Sequence, residues 1–184
     1  MQNVTLVLQL KGFNMGLSAK LSEYAAALAS SRYRFDPNEF GSDLQAICEV
    51  EKSIGLKFPA AYVDFLSVFG RGPKWLDELR GFQLIDELVK FQEEVREELE
   101  EEGDSDKLPG SSFVFRCIDG AELLFFECGG DANPIVHEIS YGRDGAEVNP
   151  TGETLEEYIE IAIRDLVREA NVDPKKYIHL FPYL

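Results

Sequence analysis

The sequence predicts an α+β domain: helices first, then an antiparallel meander of strands joined by hairpins, then a closing helix. Three observations carry this. Apolar residues recur at helical spacing before residue 103 and again after Thr154. Between them, apolar runs at 112–118 and 122–128 flank Asp119-Gly120, a dipeptide suited to a type I′ turn because both central positions take positive φ. A third run, 134–140, follows the turn-rich Gly129-Gly130-Asp131-Ala132-Asn133. The expected sheet is an antiparallel meander flanked by helices, with one face covered.

Residues 4–10 read as an edge strand or the start of a helix, their β-branched content favouring the strand. Leu17, Leu21, Tyr24, Ala25 and Leu28 then share one helical face, predicting a helix over 18–30. Residues 32–41 form a turn-rich link. Ser42 with Gln45 makes a capping box that starts a helix carrying Leu44, Ile47 and Ile54, and Gly55 ends it. Pro59 opens the next helix, whose inner face is Tyr62, Phe65, Leu66 and Phe69 and whose closing residue is Gly70. The loop 71–81 holds the single tryptophan, Trp75. Leu88, Phe91, Val95 and Leu99 predict an amphipathic helix over 86–102. After the polar break 103–110 and the meander, Asp144-Gly145 turns into a short strand near 146–148. Thr154 and Glu157 cap the last helix, with Leu155, Tyr158, Ile159, Ala162, Ile163 and Leu166 on one face. The expected core is Ile54, Pro59, Tyr62, Phe65, Leu66, Phe69, Phe125, Val136, Ile159 and Ile163.

At 184 residues the chain can bury about 70% of its unfolded surface without a metal or disulfide. Its formal charge of −16 is uneven: residues 1–50 carry −1 and the rest −15. Such a surface repels phosphate backbones and favours a basic protein partner. Cys48, Cys117 and Cys128 lack metal-site spacing and read as reduced, buried thiols of a cytoplasmic protein. No run is long enough to span a membrane.

Motifs for chemistry are missing. His137 and His179 sit among apolar neighbours as packing histidines, and Cys48 lies mid-helix beside Ile47. There is no nucleophile elbow, phosphate loop, dinucleotide fingerprint or zinc spacing. Asp104, Asp106, Asp131 and Asp144 occupy turns, where aspartate bonds its own backbone. The expectation is no catalytic residue, no cofactor and no metal. A hydrolase using these turn carboxylates is the weakest reading, since acids are too abundant to single out a pair.

The segment Glu51-Lys-Ser-Ile-Gly-Leu-Lys-Phe-Pro59-Ala-Ala-Tyr62-Val-Asp-Phe65-Leu66-Ser-Val-Phe69-Gly70-Arg-Gly72 resembles the signature of the SUKH superfamily. That pattern is a Glu, a Leu/Ile-Gly pair, a Leu-Pro step, a Tyr, then Phe-Leu and a Gly-rich turn. Here Phe58 replaces the usual Leu, and Phe69-Gly70-Arg71-Gly72 replaces an Asn-Gly-Gly type turn. Pro109-Gly110, the two strands, Asp131-Ala-Asn133-Pro134 and the helix from Thr154 extend the likeness over 42–167. The resemblance implies a non-catalytic binding domain. Bacterial members are typically immunity proteins that neutralise a cognate toxin, often a nuclease; fungal relatives are adaptors in cell-wall assembly and signalling.

The resulting organisation is an N-terminal extension, 1–41, packing on a SUKH-like domain, 42–170, followed by an apolar tail, 171–184. The tail is expected to dock on the helix of 17–28, with a dimer contact second and a partner-binding tail third, in a chain that is a monomer or weak homodimer. Seven glutamates fall within 93–102, with Arg96 the sole base among them. The expected partner-binding residues are Trp75, Glu93, Glu94, Glu97, Glu98 and Glu101, facing a basic toxin domain or, alternatively, a cellular enzyme or cell-wall machinery.

Overall fold

The structure, a computed structural model, describes residues 16–73, 76, 81–118, 122–142 and 145–170. The strand expected at 4–10, Trp75, the Asp119-Gly120 turn, Asp144, His179 and the tail 171–184 lie outside them. The order of elements is α1 (Leu17–Ala29), α2 (Pro37–Phe40), α3 (Leu44–Ile54), α4 (Ala60–Phe69), α5 (Leu88–Glu102), a 3-10 turn (Ser105–Lys107), β1 (Ser112–Ile118), β2 (Glu122–Glu127), β3 (Ile135–Gly142), β4 (Gly145–Thr154) and α6 (Leu155–Glu169). The strands form one antiparallel meander in the order β1-β2-β3-β4.

The sheet is covered on both faces, not one. Alternation along the strands sends Phe113, Phe115, Leu124, Phe126 and Val136 into a large core with α1, α3, α4 and α6. The opposite face carries Val114, Leu123, Phe125, Ile139 and Ala146 under Val95 and Leu99 of α5. Strands apolar on both faces lose clean alternation, so the second cover is hard to read from pattern alone. A bulge between Val114 and Arg116 turns Arg116 toward α6. There its guanidinium lies over the rings of Phe82 and Tyr158, 5.1 and 5.5 Å from their centroids, and donates to the Tyr158 hydroxyl.

The outer edge of β1 is closed by two devices. Cys117 N–H donates to the Gly81 carbonyl at 3.0 Å and Gln83 N–H to that of Phe115 at 3.5 Å. Further along, the buried Gln92 amide donates to the Val114 carbonyl at 2.6 Å and accepts its N–H at 3.0 Å. One side chain thus stands in for a missing strand. At the other edge, β4 runs ten residues and continues past Pro150, longer than the short strand expected near 146–148. An edge strand tolerates proline because its outward N–H needs no ladder partner.

The cap of α3 is Asp43, not Ser42. The Asp43 carboxylate accepts the Ala46 N–H at 2.8 Å, where the helix dipole favours negative charge. Ser42 is buried, its N–H donating to the Leu66 carbonyl at 2.9 Å, and Gln45 bonds Glu49 instead. With the helix starting later, Leu44 is 66% exposed and the inner stripe is Ile47, Glu51 and Ile54, the last half-buried. Cys48 is exposed, against the expectation of a buried thiol, because it follows Ile47 onto the outer face. Thr154 and Glu157 do form the reciprocal capping box at α6. That bond holds the Glu157 carboxyl below its ordinary range, first through the Thr154 N–H and then its hydroxyl.

Buried Leu17, Leu21, Tyr24, Ala25 and Leu28 place α1 in the large core, against α4 and α6. A half-buried ion pair, Lys20 to Glu160 at 2.7 Å, ties α1 to α6. Burial pushes the Tyr24 hydroxyl up to about 12, with Glu160 adding to it.

Candidate functional site

The segment that carries the family likeness is architectural. Gly55 takes the left-handed conformation, φ 71°, that ends α3 and turns the chain back. Glu51, 6% exposed, then reaches across the turn: one carboxylate oxygen accepts the Phe58 N–H at 2.9 Å and the other meets Lys57 Nζ at 2.6 Å. The signature glutamate therefore fixes the approach to Pro59, which leads into α4. Tyr62, Phe65, Leu66 and Phe69 are all buried. Tyr62 packs on Phe58, Phe65, Phe113 and Phe126, with centroids 5.0 to 5.9 Å apart, each such contact worth about 0.5–1.5 kcal/mol beyond area burial. Its hydroxyl is buried without a partner, and burial drives its pKa far upward. Gly70 has φ −64°, so it is not there to adopt a left-handed cap. A Cβ at Gly70 would stand 2.5 Å from both the Leu66 carbonyl oxygen and Ser42 Oγ; the glycine serves close packing.

The candidate binding surface is α5. Glu93, Glu94, Glu97, Glu98, Glu100, Glu101 and Glu102 are all exposed. Leu88, Gln92, Val95 and Leu99 hold the inner stripe, and Phe91 is half-buried beside it, so Gln92 occupies a position that apolar spacing alone assigns to its neighbour. At about 100° per residue the acids divide: Glu94, Glu98 and Glu102 follow Phe91 on one flank, Glu93 and Glu100 follow Arg96 on the other, and Glu97 and Glu101 crest the helix. Among the described residues the cation paired with this row is Lys90, 2.6 Å from Glu94. Arg96 is turned inward, donating to the Ser112 carbonyl at 2.9 Å and the Leu108 carbonyl at 3.5 Å. Gly103, at φ 81°, ends the helix. The structure thus puts the five glutamates read as partner-binding on one helix but on different sides of it; Trp75 lies outside the described residues.

Three other titratable groups have structural surroundings. His137 stacks on Phe125 with centroids 5.2 Å apart. Asp131 accepts the Asn133 N–H at 3.0 Å in its own turn. Burial lifts the Cys128 thiol to about 11, reinforced by Glu51. Among the described residues no three His, Cys, Asp or Glu side chains converge as metal ligands would, and no helix is long and apolar enough to cross a membrane.

The family model of the SMI1 / KNR4 family (SUKH-1) matches residues 41–161. The chain belongs to that family. No curated protein and no solved structure matches it. The matched span begins just before α3 and runs through the signature, α5 and the whole sheet into α6.

Proposed function

We propose that this chain is a non-catalytic immunity protein that neutralises a cognate toxin with a basic surface, a nuclease being the class that fits best, by direct binding through α5. The observation that carries the reading is the exposed row of glutamates on a helix whose inner stripe and Arg96 are committed to the fold. Membership of a protein-binding family supports it, as does the charge of −15 beyond residue 50. A protein that blocks a nuclease has to meet the positive potential that normally receives phosphate. A negative helix does so and gains association rate by steering. Its cytoplasmic expression beside the toxin gene is part of the same reading.

The test is co-expression with the product of an adjacent toxin gene, followed by association kinetics on the purified pair. Growth should be rescued. Changing Glu97, Glu98 and Glu101 to Lys should slow association at low salt by about tenfold or more and flatten its salt dependence. Unaltered association rates in that variant would remove α5 from the interface, and failure to rescue growth or to form a complex would remove the toxin.

A further inference from the structure

The two flanks of α5 lean on different ground. Toward the sheet, Phe91, Val95, Cys117, Leu123 and Tyr141 wall a recess of about 160 Å³, with Glu94 and Glu98 at its mouth. A recess of that size has room for a long side chain. The Tyr141 residue is 38% exposed, so an aromatic surface stands open beside carboxylates. Its hydroxyl pKa is raised, by burial first and then by Glu102, Glu98 and Asp104, which marks three acids within electrostatic reach of the ring. The groove on the other flank, about 230 Å³, has Glu93 and Arg96 side by side in its lining and no aromatic ring. Of these two, the first alone combines an apolar floor, an open ring and one sign of charge.

Resting on the function proposed above, we infer that this recess receives an arginine side chain of the basic partner, its guanidinium against Tyr141 and between Glu94 and Glu98, its methylenes over Phe91 and Leu123. Arginine fits better than lysine for three reasons. Its planar head stacks on aromatic faces, its fork matches carboxylates, and it is more weakly hydrated than an ammonium. Lys90 Nζ, now 2.6 Å from Glu94, is 77% exposed in its side chain and can swing away at little cost. An anion is excluded by the sign of the rim.

The test uses the full ¹⁵N-labelled chain titrated with acetyl-tetra-arginine amide, and with the tetra-lysine peptide as comparison. Amide shifts should centre on residues 91, 94, 98, 123 and 141. The double variant Glu94→Gln/Glu98→Gln and the single variant Tyr141→Leu should each weaken binding by about three- to tenfold. The charge-matched Glu93→Gln/Glu100→Gln should weaken it by less than about twofold, since it changes net charge equally but leaves the recess intact. The two charge variants should melt at or slightly above the parent, because each altered glutamate is exposed and removing its charge relieves like-charge neighbours one turn away. If Tyr141→Leu alone unfolds, the two charge-matched variants still decide. Equal weakening by both double variants, with shifts spread along all of α5, would overturn the recess and leave the acidic-helix reading standing. No shifts on α5 would remove both, and equal affinity for tetra-lysine would overturn the assignment to arginine.

Discussion

Gln92 offers the sharpest test of how α5 is held to the sheet. Its amide satisfies both backbone groups of Val114, a residue with no exposure, and is itself only 7% exposed. Gln92→Leu keeps the volume and removes both bonds, leaving a buried N–H and a buried carbonyl unpaired. At roughly 1–3 kcal/mol for each of the two orphaned groups the cost should be about 2–6 kcal/mol, a large part of the roughly 5–15 kcal/mol typical of a domain. Guanidinium titration measures it, and hydrogen exchange at the Val114 amide should accelerate in parallel. Gln92→Glu adds a pH signature. An ionised carboxylate can still accept the Val114 N–H but faces the carbonyl oxygen without a proton, whereas the protonated acid restores a donor. The introduced carboxyl therefore has a folded pKa raised above its unfolded value of about 4.3, so its stability is present below that value and is lost as pH rises through the folded pKa. A Gln92→Leu variant within about 0.5 kcal/mol of the parent, with the Val114 amide still protected, would refute the argument.

Three further outcomes follow from packing and exposure. Phe65, 1% exposed with its ring against Tyr62, Phe69 and Phe82, should cost roughly 3–5 kcal/mol on Phe65→Ala in the same titration; a loss below about 1 kcal/mol would contradict its burial. Gly81 has φ +65° and a Cβ there would lie 1.7 Å from the Cys117 carbonyl oxygen, so Gly81→Ala should cost at least about 2 kcal/mol. Gly81→Asn should do no better, because space and not the dihedral is limiting; rescue by asparagine would show the reverse. Cys48 should be the fast-reacting thiol toward Ellman's reagent at pH 8 and Cys48→Ser should abolish that phase, while Cys128 reacts slowly, its pKa lifted from 9.0 to about 11. That raised pKa contributes stability fully present below pH 9 and lost between about 9 and 11, so Cys128→Ala should flatten part of the alkaline decline; an unchanged alkaline limb would argue against the shift.

Legibility in the sequence tracked how local the deciding physics was. The α4 face, the capping box at Thr154 and the meander are set by spacing of 3.6 or 2 and by turn residues, and all are found. Ser42 and Asp43 are both good caps; the choice between them depends on Ser42 being buried under Gly70, a contact across 28 residues. Glu51 and Gln92 are polar residues in phase with apolar ones, Ile47 and Ile54 in one case, Leu88, Val95 and Leu99 in the other. Phase was the available signal, and polarity concealed it. The length of β4 was hidden by Pro150 and Gly152, which stop a strand in the middle of a sheet but not at its edge. For the surface, sequence shows the number of acids on α5 but not that they lie on two flanks with different neighbours, since Tyr141 and Leu123 come from strands far along the chain.

The signature residues and the glutamates differ in what they do for the fold, and stability measurements can separate them. Glu51, Tyr62, Phe65 and Gly70 are explained by the fold alone, so they carry the family's architecture and say nothing of its partner. The acids of α5 have the opposite character. Glu93 with Glu97, Glu97 with Glu101, Glu94 with Glu98 and Glu98 with Glu102 are like charges one turn apart, and Glu100 to Glu102 stand at the negative end of the helix dipole. Reversing the charge at 97, 98 and 101 leaves one repulsive pair of that spacing, between 97 and 101, turns the other three attractive and places a cation near the C-terminus. At a few tenths of a kcal/mol for each pair the variant should be more stable by on the order of 1 kcal/mol, while losing association rate. Thermal melts at low and high salt measure the first effect, and the gain should shrink as salt rises. A variant that melts lower than the parent would mean the row supports the fold, and the argument that these acids are kept for a partner would lose its basis.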